Sequence, residues 1–203
     1  LQATWDRLPV DEYMKDGGDY RLRRYDRFRY APDTAILEIL PNVTFLQDKN
    51  MNKFAGGVER KFEPLESGFA ESSFLRALIT FNFNQLPLSS KISHKPWEIK
   101  VHQIRIRATP EHKGMPAPEG LHKDGGKFFS LHLISKKNVI GAENPIYDND
   151  KKLLETFVLE KPLDSLYVEN AKVYHYATPI QVKSGNTEGT RDVLILGYWP
   201  PSD

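Results

Sequence analysis

The sequence predicts a mainly β protein, a sandwich or barrel of short strands with helices packed on its outside. Three observations carry this. Fourteen Pro and 13 Gly are spread along all 203 residues and cut the chain into short runs. The clearest of those runs alternates apolar and polar residues with period two and is rich in β-branched residues. From residue 97 onward the chain is a succession of such runs with turn residues between them.

In chain order, a weak helix is expected near residues 6–14. Residues 20–30 hold five Arg interleaved with aromatics. They read either as a nucleic-acid platform or as a strand with one charged face, an edge strand protected by charge included. The balance of 28 Lys+Arg against 27 Asp+Glu, a net charge of +1, favours the strand. Residues 35–40 form a short apolar run. Residues 67–79 read as a helix, with apolar residues at 70, 74, 75, 77 and 78 close to helical spacing, and Pro87 blocks its continuation. Residues 97–107 are the clearest strand. Further short runs lie at 127–134, 153–159, 165–168, 172–176 and 191–198. One domain is expected over residues 1–203. Helical and strand elements would fill about 1–95, and a metal-binding β core about 96–200.

Composition removes whole classes of function. At 39% hydrophobic and 11% aromatic the chain has material for a real core, which excludes a disordered protein. The near-neutral charge argues against a nucleic-acid partner. No run reaches the roughly 18 apolar residues of a membrane span, so no membrane partner is expected. With no Cys, disulfides, thiolate nucleophiles and Cys-ligated metals are absent, and a cytoplasmic setting is expected. Any metal must be held by His, Asp or Glu.

Six His occur, and the setting of one stands out. In Gly120-Leu121-His122-Lys123-Asp124-Gly125-Gly126 an imidazole and a carboxylate are two residues apart, on one side of an extended backbone. A second His, His175, sits in the strand-like segment 173–179, and Arg191 opens another strand. Residues 183–189 are turn formers, so the two segments read as a long-loop antiparallel hairpin in which His175 and Arg191 face one another. Two His and one carboxylate leave three coordination positions open, the facial set of non-heme Fe(II) oxygenases. A guanidinium in the same cavity is a natural receptor for a carboxylate, and 2-oxoglutarate carries one remote from its metal-chelating keto acid.

The order His122-x-Asp124, His175, Arg191 resembles the double-stranded β-helix Fe(II)/2-oxoglutarate dioxygenases. The wider text is similar to the bacterial branch that includes L-isoleucine 4-hydroxylase. The matching motifs are His102-Gln103-Ile104-Arg105, Pro118-Glu119-Gly120-x-His122-x-Asp124-Gly125, Gly141-Ala142-Glu143-Asn144-x-Ile146-Tyr147, His175-x-x-Thr178-Pro179-Ile180 and Arg191-Asp192. The resemblance covers about residues 20–198. It implies a jelly-roll, cupin-like core with flanking helices, and His122, Asp124 and His175 as iron ligands. Arg191 would bind the distal carboxylate of 2-oxoglutarate. Fe(II) would be the cofactor, with 2-oxoglutarate and O₂ as cosubstrates. The implied reaction hydroxylates a small molecule, a free L-amino acid above all, with release of succinate and CO₂. One departure stands out: many enzymes of the broader superfamily carry Ser or Thr two residues after this Arg, where this chain has Val193.

Gln103 or Arg105 is expected to contact cosubstrate or the substrate carboxylate, against the alternative of a solvated strand face. Glu119 is a candidate for a substrate ammonium group, and Asn144 and Tyr147 for pocket walls. His132 reads as a core histidine, and His94 and His112 as loop residues. Two other readings remain at the level of sequence: a metal-binding β-barrel without oxygenase activity, and a 2-oxoglutarate oxygenase of a peptide-borne or other small substrate. Nothing in these motifs sets an oligomeric state.

Overall fold

Residues 97–107 alternate as expected and form the middle of a sheet. The computed structural model describes residues 1–41, 43–46 and 56–201. A 3₁₀ turn at Gln2–Arg7 precedes β1 (Arg21–Ala31) and β2 (Ile36–Ile39). Three helices follow: α1 (Ser67–Ala70), α2 (Ser73–Gln85) and α3 (Ser90–Ser93). Then come β3 (Trp97–Ala108), β4 (Phe128–Lys137), β5 (Val139–Gly141), β6 (Glu143–Tyr147), β7 (Leu153–Val158), β8 (Ser165–Glu169), β9 (Tyr174–His175), β10 (Ile180–Val182) and β11 (Gly189–Trp199).

The larger sheet runs β2-β1-β3-β11-β4-β8, and smaller sheets run β7-β6-β9 and β10-β5. Every pairing is antiparallel. The chain passes repeatedly between the larger sheet and the smaller ones, which is the jelly roll.

Strand parity decides what each face of the larger sheet does. On β3, Trp97, Ile99 and Val101 point to the back. They join Phe28, Tyr30, Leu194, Leu196 and Tyr198 in a core closed by Trp5, Phe69, Leu75, Ile79 and Phe83. The helices therefore cover one face, each buried aliphatic contributing roughly 1.5–3 kcal/mol. The other parity, His102, Ile104 and Ile106 on β3 with Arg191, Val193 and Ile195 on β11, faces a cavity inside the roll. Phe129, Leu131, Ile146, Leu166 and Val193 belong to the apolar cluster that closes the roll.

The structure corrects four expectations. The helix over 67–79 is two helices, because Ser72 is extended and caps α2, its hydroxyl accepting from Leu75 N at 3.2 Å. That helix ends at Gln85, since Leu86 before Pro87 is held extended. The helix near 6–14 is replaced by the 3₁₀ turn, which stops at Arg7 with Leu8 extended before Pro9, and Val10 then bridges to Leu22. The Arg-rich run is a strand but not an edge: β1 lies between β2 and β3, paired with β3 from Arg21 to Tyr30. The β core accordingly begins well before residue 96. Finally, 173–179 and 190–195 are not a hairpin. β9 pairs with β6, β10 with β5, and β11 with β3 and β4, because the turn at 183–188 carries the chain from a small sheet to the large one.

Candidate active site

The connection between β3 and β4 is stitched to the smaller sheets by two antiparallel bridges, Gly114 to Ile180 and His122 to His175. At the second bridge both residues donate backbone N–H to the other's carbonyl at 3.0 Å. That pairing sets the two imidazoles side by side, ring centroids 4.5 Å apart. β6 pairs with His175 from the other side, so the histidine sits between two backbone neighbours. Two residues after His122, Asp124 returns to the pair: its Oδ2 lies 3.5 Å from His175 Nε2 and its Oδ1 3.8 Å from His122 Nε2. The ligand atoms of all three lie within 4.8 Å of one another. Two donors bound about 2.1 Å from one metal at a right angle are separated by roughly 3 Å, so the set is close to closing on an ion. Gly126 ends the turn with φ +84°, and a Cβ there would lie 2.9 Å from Tyr198 O. Asn170 holds the same turn, donating to the carbonyls of Gly125 and Gly126 at 3.1 and 3.3 Å.

The electrostatics suit a cation. The ring nitrogen His122 Nδ1 is 2.8 Å from Gly120 O. It donates there, which leaves Nε2 free to ligate. Burial lowers the His122 pKa, but the charges of Asp124 and Glu119 and the Gly120 carbonyl outweigh it, and the net shift is upward. Burial raises the Asp124 pKa, but His175, His122 and Arg23 hold it below its ordinary value. His175 Nε2 is buried and makes no hydrogen bond. An orphaned imidazole nitrogen beside an ionised carboxylate is a site that fits a divalent metal.

Arg191 lines the same cavity. It is 2% exposed, its Nε and Nη2 have no hydrogen-bond partner among the described residues, and burial alone pushes its pKa down to about 10. Strand parity explains the isolation. The neighbouring Asp192 points to the back of the sheet, where it accepts from Arg105 Nε and Nη2 at 2.6 and 2.8 Å and from Ser135 Oγ at 3.1 Å. A bulge in the β11–β4 ladder lies between Asp192 and Val193, and Trp5 Nε1 donates to the carbonyls of Ile104 and Val193 at 3.2 and 3.3 Å. Val193 faces the cavity beside Arg191, so that position offers no hydroxyl.

The same parity corrects the expectation for Gln103 and Arg105, neither of which lines the cavity. Gln103 is fully buried at the back and donates to Thr4 Oγ1 at 2.5 Å. Arg105 holds Asp192 and Asp6. Glu119 lines the cavity, its Oε1 3.6 Å from His122 Nε2. Asn144 lines it too, with its amide donating to the carbonyls of Ala142 and Phe157. Tyr147 stands outside, stacked with Tyr176 at 6.5 Å. His132 is a core residue within bonding distance of Ser165, Ser130 and Asn82 at 2.6–2.9 Å. His94 is exposed beside Asp33, and His112 is exposed.

The cavity measures about 240 Å³. Its walls include cations that the sequence reading left unassigned: Arg21, Arg23 and Arg60. For Arg21 and Arg23 the signal was the i, i+2 spacing within the Arg-rich strand; Arg60 carried none. Among the described residues no helix is long and apolar enough to cross a membrane.

Comparison with known proteins points to one family. The chain is 28% identical over 200 residues to L-isoleucine-4-hydroxylase of Bacillus thuringiensis, covering 97% of this chain and 80% of that protein. It is 22% identical to 3(1)-hydroxy-L-isoleucine 4-dioxygenase of Pantoea ananatis over 156 residues, 76% of this chain and 63% of that enzyme. Among solved structures, a bsmA homolog from Methylobium petroleophilum PM1 superposes with a TM-score of 0.87 at 30% identity, over 97% of this chain and 78% of that one. IDO from Bacillus thuringiensis superposes with 0.80 at 24% identity, over 99% and 84%. The profile of the 2OG-Fe dioxygenases matches residues 2–197. This chain belongs to the 2OG-Fe dioxygenase family, enzymes that use Fe(II), 2-oxoglutarate and O₂.

Proposed function

We propose that the protein hydroxylates a free L-amino acid, with His122, Asp124 and His175 holding Fe(II) and Arg191 holding 2-oxoglutarate. The observation that carries the reading is Arg191, a buried guanidinium whose Nε and Nη2 have no hydrogen-bond partner among the described residues, in one cavity with three convergent metal-ligating side chains. A metal-binding protein that does not use a diacid has no need of it. The two curated relatives are named for reactions on isoleucine and hydroxyisoleucine, which supports an amino acid as substrate. The volume of about 240 Å³ falls below the roughly 300–1,000 Å³ of drug-sized pockets, which favours a small free molecule over a peptide.

The chain's residues divide the work. The Gly120 carbonyl fixes the His122 tautomer, and the two imidazoles keep Asp124 ionised. Arg191 takes the distal carboxylate in a two-pronged charge-assisted contact, which orients the keto-acid end toward the triad. Bound Fe(II) supplies the oxidation, in which 2-oxoglutarate and O₂ give succinate and CO₂ while one oxygen atom enters a substrate C–H bond. Apolar walls at Ile104, Leu131, Val193 and Ile195 keep water from the reacting atoms. Glu119 offers a carboxylate to a substrate ammonium group.

The test is a panel of the 20 free L-amino acids with Fe(II), 2-oxoglutarate and O₂, read by succinate and product mass. The proposal requires at least one amino acid to gain the mass of one oxygen in step with succinate. No gain with any of them would overturn it.

A further inference from the structure

Arg21 and Arg23 both point into the roll from β1, and each is only 7% exposed. Burying a guanidinium is costly unless a carboxylate compensates it. Among the described residues, Asp11 is the one carboxylate ion-paired with either. Arg21 Nε lies 2.8 Å from Asp11 Oδ2, whereas Arg23 Nη1 lies 3.9 Å from that same oxygen. Arg23 Nε has no hydrogen-bond partner among the described residues. Its Nη2 is 2.7 Å from His102 Nδ1, and His102 is neutral there, because burial and the surrounding cations lower its pKa well below the ordinary value. Beneath the Arg23 guanidinium lie the rings of Phe62 and Phe45, 4.3 and 5.2 Å away. Desolvation and the neighbouring Arg21 push Arg23 down to about 9.

This cation is a different station from Arg191. Arg23 pairs with Ile104, and Arg191 with Ile106, on opposite sides of β3. Two strand spacings plus a two-residue offset separate their backbones by roughly 12 Å. The charge of Arg23 is felt at Asp124, whereas Arg191 is shifted by burial alone. One cavity thus holds two separate anion receptors.

We propose that Arg23 binds the carboxylate of the substrate amino acid, making it the residue that selects a free amino acid over a neutral or carboxylate-blocked one. This rests on the amino-acid hydroxylase reading above. Glu119 lines the same cavity and takes the ammonium group, so the zwitterion meets one fixed charge of each sign. The aliphatic walls take the side chain.

The experiment measures binding to the anaerobic Mn(II)–2-oxoglutarate enzyme by calorimetry. The probes are the tightest-binding of the 20 L-amino acids and its carboxamide. The wild type is expected to prefer the acid by about 30-fold, as loss of a charge-assisted contact implies. In Arg23→Leu that preference falls to within about threefold while 2-oxoglutarate affinity stays within about threefold. Arg23→Lys keeps the charge and the stem but not the fork, and is expected to bind the acid about tenfold more weakly than wild type. Three results would overturn the assignment: equal binding of acid and amide by wild type, an acid preference kept in both variants, or 2-oxoglutarate affinity lost as steeply as amino-acid affinity. If no amino acid binds or is turned over by wild type, the hydroxylase reading fails and this assignment with it. If one is turned over but Arg23 proves indifferent, only the assignment fails.

Discussion

Replacing Arg191 by Met should stabilise the protein in the absence of ligands while removing its response to 2-oxoglutarate. The side chain is 2% exposed and has no carboxylate partner, and burial lowers its pKa to about 10. Against an ordinary value of about 12.5, at 1.36 kcal/mol per pH unit, the buried charge costs about 3 kcal/mol. Met fills similar space with a flexible apolar stem and carries no such cost, so ligand-free Arg191→Met should gain between about 1 and 3 kcal/mol. Urea unfolding at pH 7.5 measures the difference. In the same assay with Mn(II), 2-oxoglutarate at 100 times its wild-type Kd should stabilise wild type by about 2.7 kcal/mol and Arg191→Met far less. A variant that is less stable than wild type without ligand, or that responds to the diacid as strongly as wild type, would refute the idea that this cation is held unpaired for an incoming carboxylate.

Other outcomes follow from the same geometry. Asp124→Ala should bind Fe(II) too weakly to support 2-oxoglutarate turnover while its circular dichroism and urea midpoint stay near wild type, since Asp124 sits in a turn and not in the core; a collapsed fold would contradict this. Fe(II) affinity should fall as pH drops, and the fall should begin above pH 6.5. The His122 pKa is raised, so the proton competes with the metal over a higher range than for a free imidazole; equilibrium titrations between pH 5.5 and 8 would show it. In the ligand-free protein the sign reverses: a raised His122 pKa adds stability that is complete below the unfolded value and lost as pH rises through the folded one. Arg105→Met should cost about 3–5 kcal/mol, because it strands the buried Asp192 carboxylate. Among surviving folded molecules, however, 2-oxoglutarate affinity should change little, the reverse of the Arg191 pattern.

The legible part of the fold was what period two encodes. The strand at 97–107 could be read from alternation, the one at 191–198 from a short apolar run, and the i, i+2 spacing of an extended chain set His122 and Asp124 on one side. Which side was not legible. Gln103 and Arg105 looked like site residues because polar residues shared a strand face. In fact that face is the back of the sheet, where the Gln103 amide N–H donates to Thr4 and Arg105 pairs with Asp6 and Asp192. Parity gives two faces but not which one the helices cover, since that depends on contacts from residues 5 and 69–83. His175 and Arg191 do share a cavity, but through facing sheets and not through a hairpin, because strand order in a jelly roll is set by distant pairings. The Arg-rich run illustrates the same limit. Its charge suggested a surface, whereas β3 and the smaller sheets turn alternate arginines inward.

The account stands or falls on whether His122, Asp124, His175 and Arg191 together bind ferrous iron and 2-oxoglutarate. Anaerobic titration of the protein with both, followed in the visible spectrum, reads the keto-acid chelate directly through its weak charge-transfer band. The account predicts a saturable band in wild type, its loss in Asp124→Ala, and a large rightward shift in 2-oxoglutarate dependence for Arg191→Met with iron affinity kept. A wild-type protein that shows no band, or an Arg191 variant that titrates like wild type, would contradict it.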